Sequence, residues 1–122
     1  MRRLFKKIRY SFKDLEHILL DFRGELLGQV DEYEGKNETV WAKAIVDCNI
    51  FVNSYLSKID DKDKDYTKQK FRKIDIYNMF WHLKMDIMAS DVPKYNGEAK
   101  ELYMESYNKI LEKLDEKMEE YK

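Results

Sequence analysis

The sequence is poor in the residues that cross-link a chain or interrupt its helices. Its 122 residues include one cysteine, one proline and four glycines. The single cysteine, Cys48, excludes a disulfide within the chain and fits a reducing compartment. Because proline and glycine are the strongest helix breakers, their scarcity leaves long stretches free to be helical. The composition therefore favours an all-α protein.

Long apolar runs and an excess of one charge are missing as well. No uninterrupted apolar stretch approaches the ~20 residues of a membrane span, and no apolar segment of the secretion-signal type follows the basic N-terminus. Lys and Arg number 23 against 24 Asp and Glu, so no net field draws the whole molecule to nucleic acid. We expect one soluble, cytoplasmic domain over residues 1–122, long enough to bury a core without a metal.

The least charged stretch of its length is 40–59, VWAKAIVDCNIFVNSYLSKI. Its apolar positions recur at steps of three and four, which draws one stripe along a helix: Trp41, Ile45, Cys48, Val52, Tyr55 and Ile59. Ala44, Phe51 and Leu56 widen this stripe so far that more than one neighbour must cover it. We predict that this helix is the centre of the domain.

Local signals divide the chain into four helices. The first begins either at residue 4, so that the basic segment 1–10 belongs to it, or at Ser11, where Ser11 and Asp14 resemble a capping pair. The predicted helices cover residues 4 or 11 to 34, 38–59, 66–89 and 98–121. They are separated by Gly35, by the charged connector DDKDKD and by a loop with Pro93. Short connectors favour antiparallel neighbours, so we expect an up-down antiparallel four-helix bundle.

The third predicted helix has two apolar faces, although a bundle needs only one. One face holds Ile74, Tyr77, Trp81, Met85 and Met88, and a second face, roughly 140° away, holds Ile76, Met79, Phe80, Leu83 and Ile87. Either this helix lies deep and its neighbours cover both faces, or one face binds a partner, because aromatic residues and Met are enriched in interface cores. We predict the second face as the partner-binding one, through Ile76, Phe80, Leu83 and Ile87.

Two glycines of the first helix, Gly24 and Gly28, lie opposite its apolar stripe. Each glycine inside a helix costs about 0.8–1 kcal/mol relative to alanine. They either admit another backbone closely, or let the helix bend, or are merely tolerated.

No arrangement for catalysis or metal binding emerges. Asp14 and His17 have the spacing of a metal-ligand pair in a bundle, but His82 has Met79 where the matching acid would stand. The calcium-loop-like run of aspartates at 61–65 lacks the required glycine and glutamate, and there is no phosphate loop, GxSxG or HExxH motif. Cys48 lies in an apolar stripe, where a thiol behaves as a small hydrophobe. We expect no enzyme, no cofactor and no metal ligands.

The basic N-terminal segment is the other candidate surface. Its cations could contact phosphates or another anionic surface: Arg2, Arg3, Lys6, Lys7 and Arg9. We interpret the chain as a small non-enzymatic protein-binding module. It would be an inhibitor or adaptor of the kind that phages and mobile elements encode, and it would occupy a surface of a partner protein of unknown identity. The alternatives are a nucleic-acid-associated regulatory factor that uses the basic segment, and a structural homodimer; membrane binding is not expected.

Overall fold

The computed structural model describes residues 9–32, 38–60 and 70–122. Four α-helices follow one another along the chain: α1 (Phe12–Gly28), α2 (Glu38–Asp60), α3 (Lys73–Ala89) and α4 (Gly97–Glu120). A short 3-10 turn, Gln29–Glu32, extends α1. Apart from one isolated backbone bridge, these described residues contain no β-structure. The predicted all-α four-helix bundle is confirmed.

The start of α1 follows the second of the two predicted alternatives. Ser11 is the N-cap: its hydroxyl accepts the Asp14 N–H at 3.1 Å, and the Asp14 carboxylate accepts the Ser11 N–H at 2.9 Å. Two N–H groups that the first turn would leave without a partner are thereby satisfied. Tyr10, just before the cap, pairs its backbone with that of Phe71, with both N–O distances at 2.7 Å. The basic segment is therefore not continuous with α1; its residues 1–8 lie outside the described residues.

The start of α3 differs from the prediction, which placed it near residue 66. Arg72 is extended and its N–H donates to the Asp75 carboxylate at 2.7 Å, which caps a helix that begins at Lys73. Phe71 is held outside the helix by its two backbone hydrogen bonds to Tyr10. This competition for the backbone comes from a residue far away in the sequence, so the helical spacing of the apolar residues could not reveal it. Residues 61–69 lie outside the described residues.

The helix α2 occupies the centre, as its broad stripe predicts. It contacts each of the other three helices, and its interface with α4 is the most extensive in the bundle. Its buried residues are Trp41, Ala44, Ile45, Cys48, Val52 and Leu56, which lie in one core cluster with buried side chains of α1, α3 and α4.

Contacts near the helix ends show that α1 runs antiparallel to α2 and that α3 runs antiparallel to α4. Trp41, at the start of α2, donates its indole N–H to the carbonyl of Gln29, just beyond the end of α1, at 2.9 Å. Between α3 and α4, the hydroxyl of Tyr107 on α4 donates to the carbonyl of Ile87 near the end of α3, at 3.2 Å. Tyr121, at the end of α4, stacks on Phe80, nearer the start of α3.

Neither Gly24 nor Gly28 contacts another backbone within the described chain. A Cβ added at either position would meet nothing within 4 Å. The helix α1 also continues unbroken through Gly24 and ends at Gly28. Close approach within the chain is therefore excluded for the described residues, and no break in α1 marks Gly24.

We expect Gly24→Ala to raise the free energy of unfolding by about 0.5–1 kcal/mol, because alanine loses less backbone freedom on folding and meets no obstacle here. Urea denaturation measures the change. Gly97→Ala is the matched control: Gly97 has a left-handed φ of 58°, where a Cβ is strained by about 1–2 kcal/mol, so this variant should be less stable. A loss of stability in Gly24→Ala would show that the helix depends on that glycine.

A candidate protein-binding surface on α3 and α4

The four predicted partner-binding residues belong to the core. Ile76, Phe80, Leu83 and Ile87 are each 0% exposed. The ring of Phe80 lies with its centroid 5.5 Å from that of Phe22 on α1, and it also stacks on Tyr121. A side chain that is fully covered by its own chain cannot reach a partner. The prediction that this face binds a partner is therefore wrong for the folded protein.

The other apolar face of α3 is open to solvent. Ile74 is 47% exposed, Trp81 41% and Met88 51%, while Tyr77 and Met85 on the same face are half-buried. We call these five residues the α3 apolar stripe. The sequence separates the two faces correctly but cannot orient them, because both are apolar and the surrounding helices decide which one is covered.

Exposed carboxylates line the neighbouring helix. Along α4, the positions that share its outer face recur at steps of four and three, and all of them are exposed: Glu101, Glu105, Asn108, Glu112, Asp115 and Glu119. We call this set the α4 acidic stripe. It contains five carboxylates and no cation, although the whole chain is almost neutral.

One ion pair connects the face of α3 that holds the α3 apolar stripe to the α4 acidic stripe. Lys84 follows Trp81 by three residues and precedes Met88 by four, so it shares their face of α3. Its Nζ is 2.5 Å from Oδ1 of Asp115, a member of the α4 acidic stripe. The hydrogen bond from Tyr107 to the Ile87 carbonyl fixes the same pair of helices farther along. The contact between the two stripes is therefore the ion pair of Lys84 with Asp115.

A second, smaller apolar area lies on α1 and α2. Leu27, Val46 and Ile50 are 45%, 51% and 59% exposed. The Arg23 guanidinium donates to the Asn53 side-chain oxygen at 2.9 Å and joins the two helices near this area. Because it consists of isolated aliphatic side chains without an aromatic residue, it resembles ordinary protein surface.

The titratable groups outside the two stripes do not gather into a reactive centre. Among residues 9–32, 38–60 and 70–122, no three His, Cys, Asp or Glu side chains lie close enough together to hold a metal ion. His17 and His82 are both exposed, and the His82 ring meets Trp81 edge-on at 5.1 Å. Burial, and to a smaller extent the charge of Asp47, raises the pKa of the Cys48 thiol to about 12. Cys48 is therefore a protonated core residue near neutral pH.

A shallow groove of about 180 Å³ lies between the end of α1 and α4. It is lined by Gln29, Glu32, Lys109, Glu112, Lys113 and Glu116. The side-chain oxygen of Gln29 is buried and accepts no hydrogen bond from the described residues. Because the walls mix cations and anions, the groove does not favour a ligand of either charge.

Of the predicted nucleic-acid-binding residues, the structure describes only one. Arg9 is exposed, whereas Arg2, Arg3, Lys6 and Lys7 lie outside the described residues.

Comparisons with known proteins do not indicate a function for this chain. No family model, no curated protein and no solved structure matches this chain. Among the described residues, every helix is too short or too polar to cross a membrane.

Two adjacent residues of α3 test which face is covered. Phe80→Ala should lower the free energy of unfolding by about 3–5 kcal/mol, because it removes a fully buried ring. Trp81→Ala should cost about 1 kcal/mol or less, since much of the indole is in solvent in the folded state. Urea denaturation of the two variants gives the comparison. A larger loss for Trp81→Ala would reverse our assignment of the faces.

The burial and the raised pKa of Cys48 predict that its thiol reacts slowly in the native protein. A thiol reagent at pH 8 should modify the native protein very slowly, because the thiol is 2% exposed and its raised pKa leaves almost no thiolate. In denaturing urea one thiol per chain should react at the rate of a free cysteine. Rapid modification of the native protein would place Cys48 at the surface and contradict the packing of α2.

Proposed function

We propose that this chain is a protein-binding module that uses the α3 apolar stripe to occupy a surface of a partner protein. One observation carries the proposal. Ile74, Trp81 and Met88 are between 41% and 51% exposed on a single face of α3, although the opposite face of the same helix already supplies its share of the core. Ile74, Trp81 and Met88 do not belong to the core cluster, so they are not needed to pack the bundle.

The energetics of burial support the same proposal. Removing a large apolar side chain from water lowers the free energy by about 1.5–3 kcal/mol. The exposed parts of this stripe do not provide this stabilisation in the isolated chain. A partner that covers them gains that free energy. Tryptophan is among the residues that dominate binding energies, and methionine adapts its shape to the surface it meets. Trp81 and Met88 are thus the side chains we expect to anchor the complex.

The module acts by occupancy and not by catalysis. A bundle of four helices that presents one binding surface suits an inhibitor, which covers a partner's working surface, or an adaptor, which holds it. We propose that a phage or mobile element encodes it. We place it in the cytoplasm, since its free thiol Cys48 suits a reducing compartment. A structural homodimer that pairs the α3 apolar stripe of two copies is the competing proposal.

Paired variants test the surface in a nuclease-treated lysate of the native host. Tagged wild-type protein should retain a partner at moderate salt, and Trp81→Asp should lower its recovery by at least about tenfold, because a hot-spot residue contributes about 2 kcal/mol or more. Ile50→Asp is the matched control. It introduces the same charge at an exposed apolar position on α2, so recovery should stay unchanged.

Circular dichroism of each variant separates lost binding from lost folding. Equal recovery with wild type and folded Trp81→Asp would reject the α3 apolar stripe as the binding surface. Light scattering coupled to gel filtration measures self-association in the same samples. A dimer that Trp81→Asp converts to a monomer would replace the partner proposal by the homodimer.

A further inference from the structure

We infer that the chain has a second binding surface, which binds the phosphates of a nucleic-acid backbone. This surface lies where the segment before α1 meets the segment before α3. We call it the bridge basic surface, and its exposed cations are Arg9, Lys13, Lys70 and Arg72. None of them belongs to the α3 apolar stripe, so the inference stands apart from the proposed function.

The backbone pairing of Tyr10 with Phe71 joins two basic parts of the sequence. Tyr10 ends the basic stretch 1–10, and Phe71 lies within a second basic stretch, 68–73, KQKFRK. Both N–O distances in the pair are 2.7 Å, so the two residues are directly opposite each other. The positive charge around Arg9 therefore includes cations that are about 60 residues away in the sequence.

The side chains of the paired residues face the bundle. The centroid of the Tyr10 ring lies 5.9 Å from that of Tyr121, and the centroid of the Phe71 ring lies 4.8 Å from that of Phe12. Tyr10 is only 8% exposed. The inner face of the bridge therefore belongs to the core, and its outer face is left to the residues on either side of the pair.

Two arginines lie opposite each other on this outer face. In an antiparallel pair, the residues next to the paired ones are again opposite each other, and successive side chains alternate between the two faces. The backbones of Ser11 and Arg72 are extended, so this alternation continues beyond the pair. Arg9 is consequently opposite Arg72, and Lys70 is opposite Ser11 on the same face. Both arginines and Lys70 are exposed, in agreement with this geometry.

The cations of the bridge basic surface lack counter-ions within the described chain. None of the four forms an ion pair with a described residue. The carboxylates that follow them most closely in sequence, Asp14 and Asp75, cap their helices by accepting the backbone N–H groups of Ser11 and Arg72. Like charges directly opposite each other destabilise a pair of strands. An anion bound between the two arginines would remove this repulsion.

The arrangement favours a nucleic-acid backbone as the source of the anion. The cations are spread along two extended segments and the first turn of α1, so they face a surface and do not converge on one point. A polymer with one phosphate per nucleotide contacts such a surface repeatedly and releases counterions at each contact. Arginine suits this role because its guanidinium binds a phosphate through two parallel N–H groups.

The aromatic rings of the bridge limit the mode of binding. Because Tyr10 and Phe71 turn their rings into the bundle, these rings neither stack on bases nor enter a lipid layer. Phosphate contacts carry no sequence information directly, so we expect binding that does not depend on sequence. Four further cations, Arg2, Arg3, Lys6 and Lys7, precede Arg9 by at most seven residues, and we expect them to add to the affinity.

A fluorescently labelled DNA duplex of arbitrary sequence, about 20 base pairs long, is the probe. Fluorescence anisotropy with the full chain measures the affinity over a series of salt concentrations. We expect the wild-type affinity to fall steeply as salt is raised. Arg9→Gln and Arg72→Gln should each weaken binding at low salt by about threefold or more, and each should reduce the slope of log affinity against log salt by about 1, because one phosphate contact is lost.

Lys94→Gln is the matched control. It removes the same charge from an exposed residue in the loop that follows α3, at the opposite end of this helix from the bridge. Its affinity and salt slope should equal those of the wild type, and circular dichroism verifies that each variant is folded. Equal losses in all three variants would mean that the duplex senses net charge alone. That result, unchanged binding in both arginine variants, or no binding by the wild type at low salt would each overturn the inference.

Sedimentation with vesicles that contain phosphatidylserine distinguishes nucleic acid from a lipid surface. Tighter binding to the vesicles than to the duplex, with the same dependence on Arg72, would identify a lipid headgroup as the anion and overturn the inference. The result is independent of the proposed function. Retention of a partner through Trp81 is measured after nuclease treatment, and binding of the duplex is measured without a partner, so either proposal can fail while the other stands.

Discussion

The arrangement of the bundle depends on the contacts of Trp41, which is 2% exposed. Its indole N–H binds the carbonyl of Gln29 at the end of α1, and its own carbonyl accepts the hydroxyl of Ser106 on α4 at 3.2 Å. The Nζ of Lys109 lies 5.1 Å from the centre of its ring. One residue therefore fixes α1, α2 and α4 relative to one another. The helix α2 covers the side of α4 that carries Ser106 and Lys109, and α3 packs on the side that carries Tyr107. The α4 acidic stripe therefore faces solvent.

Two tyrosine hydroxyls form hydrogen bonds between α2 and its neighbouring helices. The Tyr103 hydroxyl donates to Asp47 on α2 at 2.9 Å, and burial, together with this carboxylate, raises the pKa of Tyr103. Burial and Asp86 likewise raise the pKa of Tyr55 to about 12, and the Tyr55 hydroxyl donates to Asp86 at 3.3 Å. Because both pKa values are raised, these phenols contribute their stability below pH ~10, the ordinary tyrosine pKa. The contribution is lost as pH rises through the folded values, so both contacts are intact near neutral pH.

Local chemistry explains what the sequence could predict. The stripe of α2 is encoded by residues within one or two turns, so its position follows from spacing alone. The capping pair at Ser11 and Asp14 is local as well, but the helical spacing that continues back to residue 4 left two possible starts for α1. The start of α3 does not follow from spacing, because the backbone of Phe71 is taken by Tyr10 across the fold. The prediction of which face of α3 is exposed failed for a different reason. Its two faces are both apolar, and the shape left between α1, α2 and α4 determines which one is buried. The prediction consequently assigned partner binding to the face of α3 that is buried in the core.

The distribution of charge also bears on self-association. A two-fold dimer through the α3 apolar stripe would place the same surface of each copy on the other. The α4 carboxylates would then face either the same carboxylates of the second copy or the far side of its α3. That far side carries Asp75, Asn78, His82 and Asp86, so it is negative as well. Both arrangements bring like charges together, which costs affinity at an interface.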